Sequence, residues 1–202
     1  MTRDLPDEVS RRRAAALAGH RGDAAGARGF LDDPAPAVRT TALGAIARAG
    51  ALTAADLASA LADGSPVVRA RAAELAAGLP GDEPPQLAPV LSDADPRVVE
   101  AATWASGERQ PPEPGVVTAL ASVTTGHDDP LCREAAVAAL GSIGDEAGLP
   151  AILAATSDRP AVRRRAVLAL APFAGPDVDA ALERALADRD WQVRQAAEDL
   201  AR

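Results

Sequence analysis

Residue types that commonly do chemistry are scarce in this sequence. Its only histidines are His20 and His127, and its only cysteine is Cys132. Metal sites need several clustered cysteine, histidine or carboxylate ligands, and both histidines lie in predicted turns without such a cluster. Cys132 lies in an apolar segment and is expected to be a small core residue. No phosphate-binding glycine motif and no nucleophile elbow occurs, so the sequence predicts no catalytic residue, no cofactor and no metal site.

Two sequence features could serve binding rather than catalysis. The arginine run at 163–165 could hold an anion, but acidic residues crowd the nearby loops, and a solvated helix face is the simpler interpretation. The second feature is Trp104, in a chain with only two tryptophans, two phenylalanines and no tyrosine. An exposed large aromatic residue is a typical binding anchor, whereas a buried one belongs to the core. The choice depends on the elements that carry Trp104.

Those elements are repeats. Six segments of the sequence align with one another, and the clearest reads DPLCREAAVAALGSIGD at 129–145. Their apolar anchor residues recur every 30 to 34 positions, at Val38, Val68, Val98, Cys132, Val162 and Val193. An aspartate precedes each anchor and proline stands two positions before five of the six, which is typical of a helix start. The residue four positions after each anchor is always alanine, so we expect neighbouring helices to approach closely.

Shorter apolar-periodic stretches lie between these helices and complete two-helix units. They cover residues 52–61, 85–91, 116–123, 149–156 and 177–186, and a degenerate unit occupies 8–31. We therefore predict an all-α fold, a right-handed α-solenoid of about six two-helix repeats in one domain, 1–202. The repeats are expected to begin near residues 33, 63, 93, 128, 158 and 188. Glu198 makes the last repeat polar where a further one would pack, so we expect the solenoid to end near both termini.

The repeated motif D-P-x-V-R-x-x-A-x-x-A-L-G-x-I-G-D resembles the short HEAT-like repeats named after phycobilisome lyases. The resemblance covers almost the whole chain and implies a scaffold that binds other proteins. It also implies a structural ladder in which a motif arginine pairs with an aspartate of the adjacent repeat. The arginines that match are Arg39, Arg69, Arg133, Arg163 and Arg194. The third repeat departs from the motif, because Val99 stands in the arginine position.

In solenoids of this type the motif helix lines a concave groove, and helical register indicates which residues would face it. Positions two and six after each anchor point away from the buried stripe. The candidate contact residues are Trp104, Leu168, Glu74, Glu100, Glu134 and Arg164. Glutamates around an exposed tryptophan favour a basic partner segment that carries an apolar anchor residue. We therefore predict a non-enzymatic protein-binding or scaffold module.

The sequence is equally compatible with a core position for Trp104, because the third repeat is the least regular of the six. Ser106 replaces a core residue there, and the segment 107–115 contains four extra residues. A rotated helix could then place Trp104 in a hole left by small neighbours. The exposed fraction of the Trp104 side chain decides between the two interpretations.

Charge and composition limit the other function classes. A net charge of −8 disfavours binding to the phosphate backbones of nucleic acids. Trp104, with Glu108 one helical turn later, resembles the tryptophan and carboxylate of alkylpurine DNA glycosylases, but those enzymes need a basic groove. No motif supports the other enzymatic alternative, a chromophore lyase. Without a signal peptide, a membrane-length apolar run or paired cysteines, a cytoplasmic monomer without membrane contact is expected.

Overall fold

The computed structural model describes residues 7–79 and 85–201, and within these ranges the chain is helical and has no β-strand. The α-helices found there are α1 (Glu8–His20), α2 (Ala24–Arg28), α3 (Pro36–Arg48), α4 (Ala54–Leu61), α5 (Pro66–Ala76), α6 (Pro96–Glu108), α7 (Val116–Gly126), α8 (Pro130–Ile143), α9 (Leu149–Ala155), α10 (Pro160–Ala169), α11 (Pro176–Leu186) and α12 (Trp191–Leu200). Short 3₁₀ helices occupy Ala88–Ser92 and Glu146–Gly148. The predicted all-α repeat fold is confirmed.

The motif helices begin where the sequence predicts. Five of them, α3, α5, α6, α8 and α10, start at the motif proline, and α12 starts at Trp191. Proline suits this first position because its fixed φ is helical and its missing N–H would have no partner there. The aspartates before the anchors, however, occupy two different positions. Asp95, Asp129 and Asp190 cap their helices through the side chain, whereas the aspartates farther from the helix start form ion pairs.

The helices form two compact units, residues 1–85 and 86–202. In the first unit, α3 packs between α1 and α5, and α2 and α4 lie against the motif helices that follow them. In the second unit, α6, α8, α10 and α12 pack in succession, and α7, α9 and α11 form a second layer beside them. Each unit therefore consists of stacked helix pairs. That residues 1–202 form one continuous domain stays a prediction.

Close helix approach is confirmed by the alanines that follow each anchor by four positions. All six are buried, namely Ala42, Ala72, Ala102, Ala136, Ala166 and Ala197. Glycine allows the closest approach, since a Cβ atom added at Gly141 of α8 would lie 2.7 Å from the Cα atom of Ala169 in α10. The backbones of α8 and α10 are thus in contact, with no space for even a methyl group between them.

The predicted arginine ladder is present in both units. In the second unit, Arg133 donates from Nε and Nη2 to Asp158 at 2.6 and 2.8 Å, and Arg163 donates likewise to Asp188 at 2.9 and 2.8 Å. In the first unit, Arg39 binds Asp63 in the same two-pronged way. Each of these arginines also donates from Nη1 to a backbone carbonyl of the turn before its own helix. We call each such arginine–aspartate pair a rung.

Arg69 and Arg194 make the same turn contact, donating from Nη1 to the backbone carbonyls of Asp63 and Asp188. Arg11, which was not among the predicted ladder arginines, forms a rung with Asp33 at 2.7 Å. The hydrogen bonds from the paired guanidinium hold the pKa of Asp33, Asp63, Asp158 and Asp188 below its usual range.

One short helix differs from its prediction. Residues 85–91 were expected to form an α-helix like those of the other repeats, but only a 3₁₀ helix at Ala88–Ser92 forms. This stretch contains two prolines, Pro85 and Pro89, and proline cannot donate the backbone hydrogen bonds of a longer α-helix.

Candidate partner-binding site

Trp104 lies on the outer face of α6. Its helix buries Val98, Ala102 and Ala105 completely, whereas the Trp104 side chain is 51% exposed. A tryptophan that filled a core cavity would expose almost none of its surface. The exposed fraction therefore places Trp104 at the surface rather than in the core of the second unit.

The small polar residues beside Trp104 are satisfied within their own helix. The hydroxyl of Thr103 donates to the backbone carbonyl of Val99 at 2.6 Å, and that of Ser106 donates to the carbonyl of Ala102 at 2.8 Å. Both residues are buried. The helix is thus not rotated to bring Trp104 inward, because the positions expected to face the core, including that of Ser106, do face it.

Trp104 borders a depression of about 490 Å³ on the surface of α6, α8 and α10. We call it the Trp104 depression. Its lining residues are Glu100, Trp104, Gly107, Glu108, Leu131, Glu134, Ala135, Ala138, Ala139, Ser142 and Arg165. Small residues of α6 and α8 thus lie among larger charged and apolar side chains. Leu131, at the start of α8, is 59% exposed and gives the depression a second apolar group.

The depression has an excess of negative charge. Three glutamates line it, Glu100, Glu108 and Glu134, against the single cation Arg165. An Nη2 atom of Arg165 lies 3.6 Å from the Glu134 carboxylate, which is a loose ion pair. The Arg165 Nε atom is buried and has no hydrogen-bond partner among the described residues. Neither Glu100 nor Glu108 forms an ion pair within the described part of the chain, so both carboxylates are available to a partner.

The structure brings together three of the six residues predicted to form the contact surface. Glu100, Trp104 and Glu134 line the same depression. Leu168 is 37% exposed but does not line it. Arg164 does not line it either, and the neighbouring Arg165 does. Helical register places two adjacent arginines about 100° apart, so only one of the two lines this depression, and a contact through Arg164 stays a prediction.

Glu74 belongs to the first unit, where it accepts a hydrogen bond from Arg71 at 2.7 Å.

Leu131 and Glu108 were not included in the predicted contact surface. Leu131 could have been predicted from its position directly before a buried anchor residue, because that position turns its side chain outward at the start of the helix. Glu108 follows Trp104 by one turn, and that spacing alone was sufficient to place both on one face.

The segment after α6 stabilises the third repeat through an ion pair and hydrogen bonds to backbone N–H groups. Arg109 and Glu113 form a buried ion pair at 3.0 Å. The Glu113 carboxylate also accepts hydrogen bonds from the backbone N–H groups of Leu87 and Ala88, at 2.9 and 2.5 Å. Burial lowers the pKa of Arg109, and the charge of Glu113 opposes that shift. The extra residues of this repeat therefore supply the acceptor that caps the 3₁₀ helix Ala88–Ser92.

The remaining candidates for chemistry have structural surroundings. Cys132 is buried, its thiol donates to the carbonyl of Pro96 at 3.3 Å, and burial raises its pKa to about 11, so the thiolate does not form near neutral pH. His127 accepts a hydrogen bond at Nδ1 from the backbone of Asp129, and His20 is exposed. Across residues 7–79 and 85–201, no group of three or more histidine, cysteine or acidic residues is arranged to hold a metal ion.

A second depression, of about 580 Å³, lies in the first unit. Both arginines of its lining are paired with aspartates of the same lining, Arg28 with Asp56 at 2.8 Å and Arg39 with Asp63 at 2.6 Å. Its lining includes no aromatic residue. The Trp104 depression thus has the exposed aromatic surface that the second depression lacks. Among the described residues, no helix is both long enough and apolar enough to cross a membrane.

Comparisons with known proteins agree with this architecture. The profile of the HEAT repeats family matches residues 54–137 and 117–201. The structure of YibA from Escherichia coli is similar over 98% of this chain and 75% of YibA, with a TM-score of 0.66 and 19% identity.

Two further similar structures have known or engineered roles. A designed armadillo repeat protein, solved with the peptide (KR)4, has a TM-score of 0.60 and 17% identity over 96% of this chain and 98% of its own. Human deoxyhypusine hydroxylase has a TM-score of 0.51 and 21% identity over 98% of this chain and 80% of its own. At these identities the likeness concerns the fold alone. No protein of curated function has a significantly matching sequence.

Proposed function

This chain belongs to the HEAT-repeat family, and from that premise we propose that it is a non-enzymatic binding or scaffold module. Its partner is a protein segment that carries basic residues beside an apolar one, held in the Trp104 depression. The observation that carries the proposal is the half-exposed Trp104 side chain, bordered by three glutamates and an exposed leucine.

Energetic reasoning supports Trp104 as the centre of the contact. Tryptophan is enriched among the residues that contribute most to binding, because one side chain removes a large apolar area from water. Leu131 extends that apolar surface from the adjacent helix. Exposing both side chains to solvent is unfavourable for an isolated protein, and a partner that covers them regains that free energy.

Charge supports a basic partner. The depression carries three carboxylates and one guanidinium, and the whole chain has a net charge of −8. Complementary charges raise association rates and reject partners of the wrong sign. The designed armadillo repeat protein solved with (KR)4 is a precedent for a basic peptide bound to a helical repeat protein of similar fold.

The enzymatic alternatives receive less support. A DNA glycosylase built on Trp104 and Glu108 would have to hold a phosphate backbone beside a depression whose charges repel it. The buried Cys132, with its raised pKa, is a poor nucleophile. A single cysteine forms no disulfide within the chain, which accords with the cytoplasmic location that we propose.

A selection from a displayed library of random peptides tests the proposal. We expect the purified protein to enrich peptides that combine arginine or lysine with a neighbouring apolar residue. Enrichment of acidic peptides would contradict the charge argument. Enrichment of no class of peptide above an uncoated surface would contradict a peptide-binding function.

Two tryptophan variants provide the matched comparison. Trp104→Ala should abolish enrichment, whereas Trp191→Ala should leave it unchanged, although Trp191 is also exposed, at 64%. Equal loss in both variants would show that the peptides adhere to exposed tryptophan in general rather than to this depression.

A further inference from the structure

We propose that Trp104, Glu100 and Glu108 form a subsite for one arginine side chain of the partner. Its guanidinium stacks on the exposed indole face, and its N–H groups donate to the two flanking carboxylates. The inference rests on the proposed binding function and specifies the chemistry of its central contact.

The three residues form one row along α6. Glu100 precedes Trp104 by four residues and Glu108 follows it by four. Residues four apart on an α-helix are neighbours on one face, separated by about one turn of roughly 5.4 Å. All three line the Trp104 depression. An aromatic ring thus lies between two carboxylates along a single exposed row.

The carboxylates of this row are uncompensated. The nearby arginines of α6 and its following loop bind other partners, since Arg97 pairs with Asp95 at 2.7 Å and Arg109 with Glu113 at 3.0 Å. Arg165 faces Glu134 across the depression. Glu100 and Glu108 therefore present two negative charges beside the ring, and no cation of the described residues is paired with them.

A guanidinium suits this arrangement better than an ammonium group. It is planar and weakly hydrated, so it can lie flat on an indole ring and still direct its N–H groups sideways to carboxylates. An ammonium group has no plane to stack and loses a tightly bound water shell on contact. A neutral side chain in this position would form neither a cation–π interaction with the ring nor charge-assisted hydrogen bonds to the carboxylates.

Glu134 has a different role. Its carboxylate already faces Arg165 at 3.6 Å, and its side chain is less exposed than an unpaired surface glutamate would be, at 19%. It lies on α8, outside the row of α6. We therefore expect Glu134 to contribute less to the arginine contact than either of the two row glutamates.

Fluorescence of Trp104 provides the test. Trp191→Phe leaves Trp104 as the only tryptophan of the chain, so its emission reports on the depression alone. The probes are the capped peptide Gly-Arg-Leu-Gly and two analogues in which lysine or the neutral isostere citrulline replaces arginine. We expect the arginine peptide to bind most tightly and the citrulline peptide at least about tenfold more weakly.

Protein variants, followed with a fluorescein-labelled arginine peptide by anisotropy, locate the subsite. Trp104→Leu keeps an apolar side chain but removes the ring, and we expect it to weaken binding about tenfold. Glu100→Gln and Glu108→Gln should each weaken binding about threefold, whereas Glu183→Gln, the matched control at an exposed glutamate of α11 outside the depression, should leave it unchanged.

The outcomes separate the subsite from the proposed function. If the citrulline peptide binds as tightly as the arginine peptide and both require Trp104, the binding function stands and the arginine subsite is wrong. If the arginine peptide binds Trp104→Leu as tightly as the parent protein, the arginine subsite is wrong, and equally tight binding to Trp104→Ala would overturn both proposals at this site. No change in fluorescence or anisotropy at millimolar arginine peptide also overturns the subsite.

Discussion

Two kinds of junction between motif helices occur in the second unit, and they are held differently. At the α8–α10 and α10–α12 junctions a two-pronged rung joins adjacent repeats, Arg133 with Asp158 and Arg163 with Asp188. At the α6–α8 junction both members of the corresponding rung are replaced. Val99 stands in the arginine position and is fully buried, and His127 stands in the aspartate position.

His127 retains half of the aspartate's role. Its Nδ1 atom accepts the backbone N–H of Asp129, as the carboxylate of Asp188 accepts that of Asp190. Its backbone carbonyl accepts from Arg133, as that of Asp158 accepts from Arg163. The turn is therefore preserved without the ion pair.

The α6–α8 junction is held by close packing and a side-chain hydrogen bond, without an ion pair. A Cβ atom on Gly107 would lie 3.0 Å from the Cα atom of Ala139, and the hydroxyl of Ser142 donates to the Gly107 carbonyl at 2.9 Å. The backbones also touch at the α8–α10 junction, through Gly141 and Ala169, so contact is common to both kinds of junction and the α6–α8 junction relies on it without a rung. The junction without a rung is also the one that carries Trp104.

The largest expected effect concerns the Arg109–Glu113 ion pair, which lies within the irregular third repeat. Glu113→Ala removes the carboxylate that faces buried Arg109 and accepts from two backbone N–H groups. We expect the free energy of unfolding to fall by about 4 kcal/mol, because a buried ion pair loses one partner. Urea denaturation followed by circular dichroism measures it, and a loss below about 1 kcal/mol would show that this pair does not stabilise the repeat.

Breaking a regular rung should have the next largest effect. Arg163→Met keeps an apolar stem but leaves the mostly buried Asp188 carboxylate without its guanidinium. We expect a loss of about 3 kcal/mol in the free energy of unfolding. Arg164→Met, one residue away on the same helix, is the matched control and should change stability by less than about 0.5 kcal/mol. Equal effects would remove the distinction between rung and surface arginines.

A rung can also be introduced at the α6–α8 junction, which lacks one. Val99→Arg alone buries a charge without a partner, and His127→Asp alone adds an unpaired acid. Combined, the two substitutions should be less destabilising than the sum of the single ones by about 2 kcal/mol, since contacting charges couple. A double-mutant cycle in urea measures the coupling energy, and an energy near zero would mean that the α6–α8 geometry cannot accept a rung.

The smallest expected effect is a pH dependence specific to rungs. The hydrogen bonds from Arg163 lower the pKa of Asp188 in the folded state, so its stabilisation is present above the unfolded value of about 4 and disappears as the pH falls through the folded value. Asp188→Asn should therefore reduce the decline in stability below pH 4. His127→Ala at the junction without a rung should leave that acid decline unchanged, and urea denaturation at several pH values compares the two.

Periodicity was sufficient to predict the repeat fold from the sequence. Anchors, prolines and alanines recur at fixed positions, and the structure confirms the helices that they predict, apart from residues 85–91. That segment contains enough apolar residues for a helix, but its acceptor, Glu113, lies about 25 residues away, and such a pairing cannot be deduced from local pattern.

The candidate site was less predictable than the fold. Register placed Trp104, Glu100 and Glu134 on one surface, because helix geometry is regular along α6 and α8. The choice between Arg164 and Arg165 depends on a rotation smaller than the angle between adjacent residues, and the contribution of Leu131 depends on how far the start of α8 projects. Both are properties of packing between helices, which one sequence does not specify.

We propose that Trp104 serves binding and not folding, and a single variant separates these two roles. For Trp104→Ala we expect urea denaturation to show a loss of at most about 1.5 kcal/mol, the amount for a half-exposed side chain, while affinity for the arginine peptide falls at least about tenfold. A loss of 3 to 5 kcal/mol, roughly that of a core tryptophan, with peptide affinity unchanged would contradict the account.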